Sequence, residues 1–324
     1  MGGDYAPANV VAGARDAVRE SGGRFRLCLV GRKEQIDREL QAHGSSGGQI
    51  SVVHAPEVIE MHDSPNAALK SKRQSSIAVG LALARDGKAD AFVSAGNTGA
   101  VLSASTLILG RIKGVGRPTI GALVPTATTP CLIVDAGANV DCRPRHLFEF
   151  GIMGSIYVSS MLGKVDPRVG LLSIGEEDSK GNEASLEAFG LLKQSSLNFA
   201  GNVEGRDILK GIVDVVVCDG FVGNILLKFG ESIPAFFKAR FTAFAARTLA
   251  NKIIALIARN GLRGVMKELD YQEHGGVPVL GVNGVSIIGH GGSTPKAFKN
   301  MIYRAEEMVR KNVNLQIQET LAKA

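Results

Sequence analysis

Short apolar runs alternate with amphipathic helical stretches along most of the chain. The run VVVC at 215–218 is apolar at every position, which is typical of a parallel strand buried on both faces. Asp219 and Gly220 interrupt this run before the helical pattern of 222–228 begins. Because the same order of strand, turn and helix recurs, the pattern predicts an α/β protein with a mostly parallel sheet.

The pattern predicts further elements on both sides of this unit. Predicted helices are 8–20, 33–42, 66–73, 75–85, 98–109, 144–162 and 294–321, and predicted strands are 26–30, 50–54, 119–124, 131–134 and 169–174. The turn PTATTP separates two of these strands, which we expect to be neighbours. Residues 44–48, GSSGG, match a nucleophile-turn pattern, but no apolar strand precedes them, so we interpret them as a surface turn.

One loop pattern occurs twice in the chain. Residues 90–99 (DAFVSAGNTG) and 214–223 (DVVVCDGFVG) share the spacing D-x-x-V-x-x-G-x-x-G. Free backbone N–H groups and the helix dipole attract an anion where a strand gives way to a helix, so phosphate or a carboxylate is the first ligand class to consider. For one loop alone, a helix cap at Asp219 and a turn at Gly220 also explain the residues, and the repetition favours the anion site.

Polar side chains follow six apolar runs at the points where strands are predicted to end. We expect these loops along one rim of one sheet, and they carry Asn97, Asn139, Lys180, Asn202, Asn224 and His290. Backbone amides, asparagines, one lysine, one histidine and the carboxylates near Lys180 suit the binding of an oxyanion and of the tetrahedral intermediate of acyl transfer. If phosphate supplies the attacking oxygen, the protein needs no covalent nucleophile.

Composition narrows the class of protein. The chain has 324 residues, 45% of them hydrophobic, with 40 glycines and no tryptophan, which fits a globular α/β protein with many tight turns. Four cysteines without C-x-x-C spacing predict reduced core residues of a cytosolic protein and no zinc site. The sequence has no P-loop, dinucleotide fingerprint or H-E-x-x-H motif, so we expect no metal or nucleotide cofactor and disfavour an oxidoreductase.

Positive charge is concentrated in one segment. The net charge is +6, and residues 232–267 contain seven lysines and arginines and no acidic residue. Ile233, Phe237, Phe241 and Phe244 recur there at helical spacing, which is typical of a helix that lies on an anionic bilayer surface. The alternative is a core-packed or dimer-forming helix pair with a basic outer face.

Eight motifs in order resemble one known family. They are MGGDYAP, SAGNTGA, RIKGVGRP, DAGANVD, GEEDSKGNE, GNVEGRD, DGFVGN and GHGGSTPKA. Over nearly its whole length the chain is similar to the bacterial phosphate acyltransferases of phospholipid synthesis, the PlsX family. The resemblance implies one α/β/α three-layer unit over 1–324, related to phosphotransacetylases and isocitrate dehydrogenase-like proteins, from which the basic segment 232–267 projects.

The resemblance also implies an activity, partners and site residues. Such an enzyme converts acyl-acyl carrier protein and inorganic phosphate to acyl phosphate, which a membrane glycerol-3-phosphate acyltransferase uses. It is a cytoplasmic homodimer that associates with the anionic membrane surface, with no cofactor and no nucleic acid partner. We expect the loop amides of 96–99 and 220–224 to hold the phosphate, with Lys180 as the compensating positive charge. Asn224, or the amides beside it, is the expected oxyanion donor, and His290 is the expected acid that protonates the departing thiolate. The other residues expected to bind substrate are Gly3, Asp4, Gly96, Asn97, Thr98, Gly99, Asp135, Asn139, Asn182, Asn202, Asp219, Gly220, Gly223, Gly291 and Ser293.

The start of the chain departs from the family pattern. Family members begin with a short strand that ends in Asp-Ala just before the MGGD motif, whereas this chain starts at that methionine. We therefore expect the sheet to lack its first strand, and a mis-assigned start codon is the preferred explanation. Two other functions stay open: a short-chain acyl-CoA phosphotransacetylase, which needs no membrane helix, and a non-catalytic membrane-binding regulator, which does not need six ordered loops.

Overall fold

The computed structural model describes residues 1–42, 48–268 and 271–323, so most of the GSSGG turn lies outside the described residues. The helices are α1 (Ala8–Ser21), α2 (Lys33–Ala42), α3 (Pro65–Ser71), α4 (Ser76–Arg85), α5 (Thr98–Ala104), α6 (Pro144–Leu162), α7 (Glu183–Lys193), α8 (Gly205–Ile208), α9 (Gly220–Ala245), α10 (Leu249–Glu268), α11 (Pro295–Arg310) and α12 (Val313–Leu321). The strands are β1 (Leu27–Gly31), β2 (Ile50–His54), β3 (Ala91–Ser94), β4 (Thr119–Val124), β5 (Cys131–Val134), β6 (Val169–Leu172), β7 (Phe199–Val203), β8 (Val215–Val217), β9 (Val277–Leu280) and β10 (Val285–Ile288).

Eight strands form one sheet in the order β3-β10-β9-β4-β5-β8-β6-β7. Strands β5, β8, β6 and β7 are parallel to one another, and β10 is parallel to β3. Strands β9 and β4 lie between these two sets, and the pairs β10-β9, β9-β4 and β4-β5 are antiparallel. Helices pack on both faces of this sheet, so the predicted three-layer α/β/α fold with a mostly parallel sheet is confirmed.

The hydrophobic core lies on both faces of the sheet. On one face Phe150 and Met153 of α6 are fully buried against the strands, in the same apolar cluster as Leu132 of β5. Full burial of such a side chain contributes about 1.5–3 kcal/mol relative to its exposure. On the other face Ala104 of α5 and Leu227 of α9 belong to a second cluster, so these two helices cover the same side of the sheet.

Strands β1 and β2 form a separate parallel pair. A cavity of about 910 Å³ lies beside this pair, and its walls include Cys28 of β1, Phe92 of β3, and Phe298 and Ile302 of α11. Among the described residues β1 pairs only with β2, and β3 pairs only with β10. One hydrogen-bonding edge of each strand therefore has no strand beside it.

Several predicted elements keep their predicted bounds, and three helical predictions need correction. Helix α6 and the antiparallel pair β4 and β5 match the sequence prediction. The predicted helix 98–109 becomes π-helical over Ser105–Leu109, and 294–321 is split at Asn312, whose positive φ of 50° does not fit a right-handed helix. The predicted basic helix 232–267 is the end of α9 followed by α10. Within the described ranges no helix is long and apolar enough to cross a membrane.

Candidate functional site

The loops that carry the predicted site residues leave the sheet at two edges. Because β9 and β4 reverse the strand direction, β3 and β10 run antiparallel to β5, β8, β6 and β7. The loops with Asn97 and His290 therefore leave one edge, which we call the first edge. The loops of the opposite, second edge carry Asn139, Lys180, Asn202 and Asn224. The expectation of a single rim is wrong for this reason.

The two loops with repeated spacing are also far apart in the sheet. Residues 96–99 follow β3 and residues 219–223 follow β8, and four strands lie between β3 and β8. At about 4.8 Å per strand, the two strands are separated by about 24 Å. One phosphate held jointly by both loops, as the sequence suggested, does not fit this separation.

Asp135 organises the turn that follows β5 at the second edge. The carboxylate has no exposed surface and accepts backbone N–H groups from Gly137 at 3.1 Å, Ala138 at 2.9 Å and Asn139 at 2.7 Å. Ile120 donates a further N–H group at 3.3 Å, and the amide Nδ2 of Asn139 donates at 2.8 Å. Burial raises the pKa of Asp135, and these hydrogen bonds act in the opposite direction. Asp135 therefore shapes the turn and presents no atom to a substrate.

The N-terminus of α9 packs directly on this turn. A Cβ atom on Gly220 would lie 2.7 Å from the backbone nitrogen and oxygen of Asn139. A Cβ atom on Gly223 would lie 1.8 Å from the backbone oxygen of Asp135. Only glycine allows this approach, because any other side chain would overlap the neighbouring backbone. The DGFVG spacing is thus explained by helix packing on the 135–139 turn.

Most amides in the first turn of α9 are already bonded within the protein. Asp219 caps the helix by accepting the N–H of Val222 at 2.8 Å. This is the helix-cap role that the sequence analysis gave as the alternative to an anion site. Gly220 donates its N–H to the carbonyl of Asn139 at 2.7 Å, and Gly223 donates to the carbonyl of Asp219 at 2.9 Å. The positive end of the helix dipole still favours an anion here. In this first turn, however, the N–H groups of Gly220, Val222 and Gly223 are already bonded, which leaves that of Phe221.

Asn97 joins two loops at the first edge. Its Nδ2 donates to the carbonyls of Glu60, Met61 and Asp63 at 3.3, 3.1 and 3.1 Å, and its Oδ1 accepts the N–H of Ala100 at 3.0 Å. Its side chain is buried. These contacts use its hydrogen-bonding groups to hold residues 60–63 against the start of α5, which is a positioning role.

Three other predicted asparagines also bond to the protein itself. Asn139 donates through Nδ2 to the carbonyl of Pro118 at 2.9 Å, which ties the 135–139 turn to the start of β4. Asn202 donates to the carbonyl of Glu177 at 2.8 Å and so holds the loop that carries Lys180. Asn182 caps α7 by accepting the N–H of Ser185 at 2.9 Å.

Lys180 and Asn224 are the exposed predicted catalytic residues of the second edge. Asn224 lies over Gly137, where an added Cβ would be 3.3 Å from both Cβ and Oδ1 of Asn224. The carbonyl of Lys180 accepts the hydroxyl of Ser173 at 2.9 Å, which fixes its backbone at the end of β6 while the side chain is exposed. Because β6 pairs directly with β8, the loops of Lys180 and Asn224 are neighbours.

The first edge brings the amino terminus and the loop after β10 together. Asp4 donates its N–H to the carbonyl of Gly291 at 2.8 Å, and Ser293 donates its buried hydroxyl to the carbonyl of His290. His290 is exposed and its Nδ1 accepts the N–H of Gly292 at 3.1 Å, which leaves the proton of a neutral imidazole on Nε2. The other predicted residues of this edge are Gly3, Gly96, Thr98 and Gly99.

Two structural residues were missed by the sequence analysis. Gly137 adopts a positive φ of 131° and is the surface on which Asn224 rests. Glu149 is buried in α6 and accepts the N–H of Gly116, so it fixes the loop before β4. Gly137 lies inside the DAGANVD motif and Glu149 inside the predicted helix 144–162, but only the tertiary contacts show their roles.

Solved structures of other proteins share this fold. A phosphotransacetylase from Streptococcus pyogenes superposes with a TM-score of 0.65 at 15% identity, covering 94% of this chain and 92% of that chain. A branched-chain phosphotransacylase from Enterococcus faecalis gives 0.59 at 14% identity, covering 95% and 96%. At these identities the likeness establishes an α/β/α fold shared with such transferases.

Sequence relatives identify the family. A phosphate acyltransferase from Pelotomaculum thermopropionicum is 50% identical over 310 residues, covering 95% of this chain and 90% of the relative. Those of Desulforamulus reducens and Geobacter sulfurreducens are 47% and 46% identical, each over 99% of this chain and over 95% and 92% of the relative. The family model described as "Fatty acid synthesis protein" matches residues 1–316. The chain belongs to this family, the PlsX phosphate acyltransferases, and is an acyltransferase, as its motifs implied.

Proposed function

We propose that the protein transfers a fatty acyl group from acyl carrier protein to inorganic phosphate and releases acyl phosphate. Membership of the family supports acyl transfer, and the names of the relatives support phosphate as the acceptor. The observation that carries the assignment is the pair of neighbouring exposed groups at the second edge. Asn224 supplies an amide and Lys180 a positive charge on adjacent loops, which suits an oxyanion and a phosphate.

The proposed reaction is a direct displacement at the thioester carbonyl. A phosphate oxygen attacks the carbonyl carbon, a carbon–oxygen bond forms, and the negative charge moves to the carbonyl oxygen. Asn224 donates to that oxygen through its amide, and Lys180 compensates the charge of phosphate. As the tetrahedral intermediate collapses, the carbon–sulfur bond breaks and the departing thiolate takes a proton from water.

His290 lies on the loop after β10 at the first edge, whereas Asn224 and Lys180 lie on loops of the second edge. At about 4.8 Å per strand, the four spacings between β10 and β8 amount to about 19 Å. The sulfur and the oxygen of a thioester are bonded to the same carbon atom, so a thioester held at Asn224 does not reach His290. We therefore give His290 no part in this step.

The test is a phosphate-dependent acyl transfer assay with purified full-length protein. Hexadecanoyl-acyl carrier protein and phosphate are expected to give acyl phosphate, trapped as hydroxamate by hydroxylamine, and omission of phosphate is expected to abolish the product. A parallel reaction with acetyl-CoA tests the short-chain phosphotransacetylase. Thioester cleavage without phosphate, or turnover of acetyl-CoA alone, contradicts the proposal.

We also propose that the enzyme works as a peripheral membrane protein and a homodimer in the cytoplasm. Along α9 and α10 many large apolar side chains are exposed, among them Phe236 and Phe237 at 61% and 58% and Ile257 at 78%. An exposed apolar face with basic neighbours suits an anionic lipid surface. This location would deliver acyl phosphate to a membrane glycerol-3-phosphate acyltransferase.

A further inference from the structure

Four arginines form a positively charged patch beside the second edge. Arg111 and Arg117 lie in the loop before β4, and Arg143 and Arg145 lie at the start of α6. All four side chains are exposed. We call this set the arginine patch.

Hydrogen bonds hold the two segments of the arginine patch together. Gly116 donates its N–H to Oε2 of Glu149 at 2.8 Å, and the guanidinium of Arg111 donates to the carbonyl of Gly116. Arg145 pairs with the other carboxylate oxygen of Glu149 at 3.1 Å. Glu149 is only 3% exposed, and its carboxylate bonds to Gly116 and Arg145 rather than to solvent. These bonds hold the guanidinium groups of Arg111 and Arg145 and join the two segments that carry Arg117 and Arg143.

Arg117 and Arg143 supply the uncompensated charge of the patch. Within the described residues neither guanidinium forms an ion pair with a carboxylate. His146, in the first turn of α6, lies beside Gly116 of the other segment. Burial lowers the pKa of His146, and Glu149 opposes this effect. The positive charges of Arg117 and Arg143 lower the pKa further. Their fields thus overlap at one place on the surface.

The arginine patch adjoins the proposed catalytic edge. Arg117 precedes Pro118, whose carbonyl accepts the amide of Asn139 at 2.9 Å. Val140, the next residue after that turn, is 63% exposed. An exposed apolar residue among arginines has the composition of a protein-binding surface, which combines an apolar centre with a charged rim.

The opposite flank of the second edge carries charges of both signs. Glu176, Glu177 and Asp178 precede Lys180, and Asp178 pairs with Lys193 at 2.8 Å and Glu176 with Arg206 at 3.7 Å. A negatively charged partner therefore finds less uncompensated positive charge there than at the arginine patch. The charge distribution therefore sets the side from which such a partner approaches Asn224.

We propose that the arginine patch docks the acidic carrier protein that delivers the acyl thioester. This inference rests on the proposed function, since it assigns a surface to the donor of that reaction. Arginine binds carboxylates through paired hydrogen bonds, so an acidic helix is a suitable partner for this set of guanidinium groups. Docking on this side places the thioester arm at the entrance to the second edge.

The experiment compares donors with and without the protein carrier. The double variant Arg117→Glu with Arg143→Glu reverses the two uncompensated charges. It is expected to raise KM for hexadecanoyl-acyl carrier protein by at least about tenfold, because like charges then face each other across the interface. With hexadecanoyl-pantetheine as donor, which carries no acidic protein, kcat/KM is expected to stay within about twofold of the wild type.

The control variant is Arg38→Glu with Lys88→Glu, which makes the same change in net charge at exposed positions in α2 and before the outermost strand β3. It is expected to leave KM for the carrier substrate unchanged. Equal effects of the two double variants would show only a net-charge effect and would overturn the docking site. Loss of activity with both donors would place the arginines in the chemistry or the fold instead.

Direct binding separates this inference from the proposed reaction. Fluorescently labelled carrier protein without an acyl group is titrated with wild type and both double variants at about 50 and about 500 mM salt. Wild-type binding that weakens in high salt and is lost only in the patch variant supports the surface even if no acyl phosphate forms. Undiminished binding by the patch variant refutes it, as does a patch variant that loses only binding to anionic vesicles.

Discussion

The backbone oxygen of Asp135 occupies the space that a side chain on Gly223 would need, 1.8 Å from its Cβ position. This single approach joins the end of β5 to the first turn of α9. It also explains why Asn224, the next residue, is held over the 135–139 turn. The geometry of the second edge therefore depends on a glycine that contacts no substrate in the proposed reaction.

Replacement of Gly223 by alanine is expected to disrupt this joint. Because the clash is with backbone, the helix must shift, and we expect a loss of about 3 kcal/mol or more in the free energy of unfolding. The matched control is Gly230→Ala in the same helix, where a Cβ would meet nothing within 4 Å. That change should stabilise α9 by about 0.5–1 kcal/mol. Urea unfolding measures both, and similar stabilities for the two variants would contradict the packing argument.

Asp135 and Asp219 differ in role although both end a strand. Asp135→Asn replaces one carboxylate oxygen by an NH₂ group, which faces the N–H of Ala138 or of Asn139. Two donors then face each other, and an unpaired buried donor lowers the free energy of unfolding by about 1–3 kcal/mol. Asp219→Asn keeps the helix cap, because asparagine caps as well as aspartate. We expect Asp135→Asn to lower both the urea midpoint and the activity, and Asp219→Asn to leave stability within about 0.5 kcal/mol. A stable, fully active Asp135→Asn variant would show that the turn does not need the carboxylate.

Much of the fold was accessible from the sequence because local patterns define local elements. The small and apolar residues of 144–162 and the proline at the first position predict this helix with its observed bounds. The hairpin of β4 and β5 follows from two apolar runs and one turn. Such signals do not depend on distant residues.

The sequence did not predict that the site loops leave the sheet at two opposite edges, because this arrangement depends on the direction of β9. That strand is four residues long and contains Pro278, which weakens a strand prediction, yet it pairs with both β4 and β10. Its direction decides that β3 and β5 point oppositely. Likewise, no local pattern shows that Asn97 binds carbonyls more than thirty residues earlier, so its amide was assigned to a substrate.

Asn224 is expected to act in the chemical step. Loss of one oxyanion donor typically lowers kcat by about 10²- to 10³-fold, so Asn224→Ala should fall in that range with little change in stability, since its side chain is exposed. Lys180→Ala should lose activity chiefly through a higher KM for phosphate, and Lys180→Arg should restore part of it. A decrease below about threefold for Asn224→Ala would remove it from the proposed reaction.

The four cysteines are expected to differ in reactivity. Burial raises the pKa of Cys131 and of Cys142 to about 12 and raises that of Cys218 further, whereas Cys28 is exposed. Since the thiolate is the reactive form, N-ethylmaleimide at about pH 7.5 should label Cys28 in the native protein and the others only after unfolding. Mass spectrometry of digested protein measures this, with Cys28→Ser as the control. Rapid native labelling of Cys218 would mean that the joint between β8 and α9 opens readily.

The exposed apolar face of α9 is expected to bind anionic lipid. Phe237 packs edge-on against Phe236, with ring centroids 5.9 Å apart, and Phe241 stacks on Phe244 with ring centroids 6.3 Å apart. Insertion of these rings, with about 1 kcal/mol of attraction for each nearby basic residue, predicts reversible binding that high salt weakens only in part. Phe237→Glu with Phe241→Glu should therefore abolish flotation with anionic vesicles and retain acyl transfer in solution. Val165→Glu with Leu315→Glu, at positions 97% and 51% exposed, adds the same charge elsewhere and should still float. If the α9 variant instead dissociates or unfolds, as sedimentation and circular dichroism would show, this face is a subunit contact or part of the core, and the membrane assignment fails.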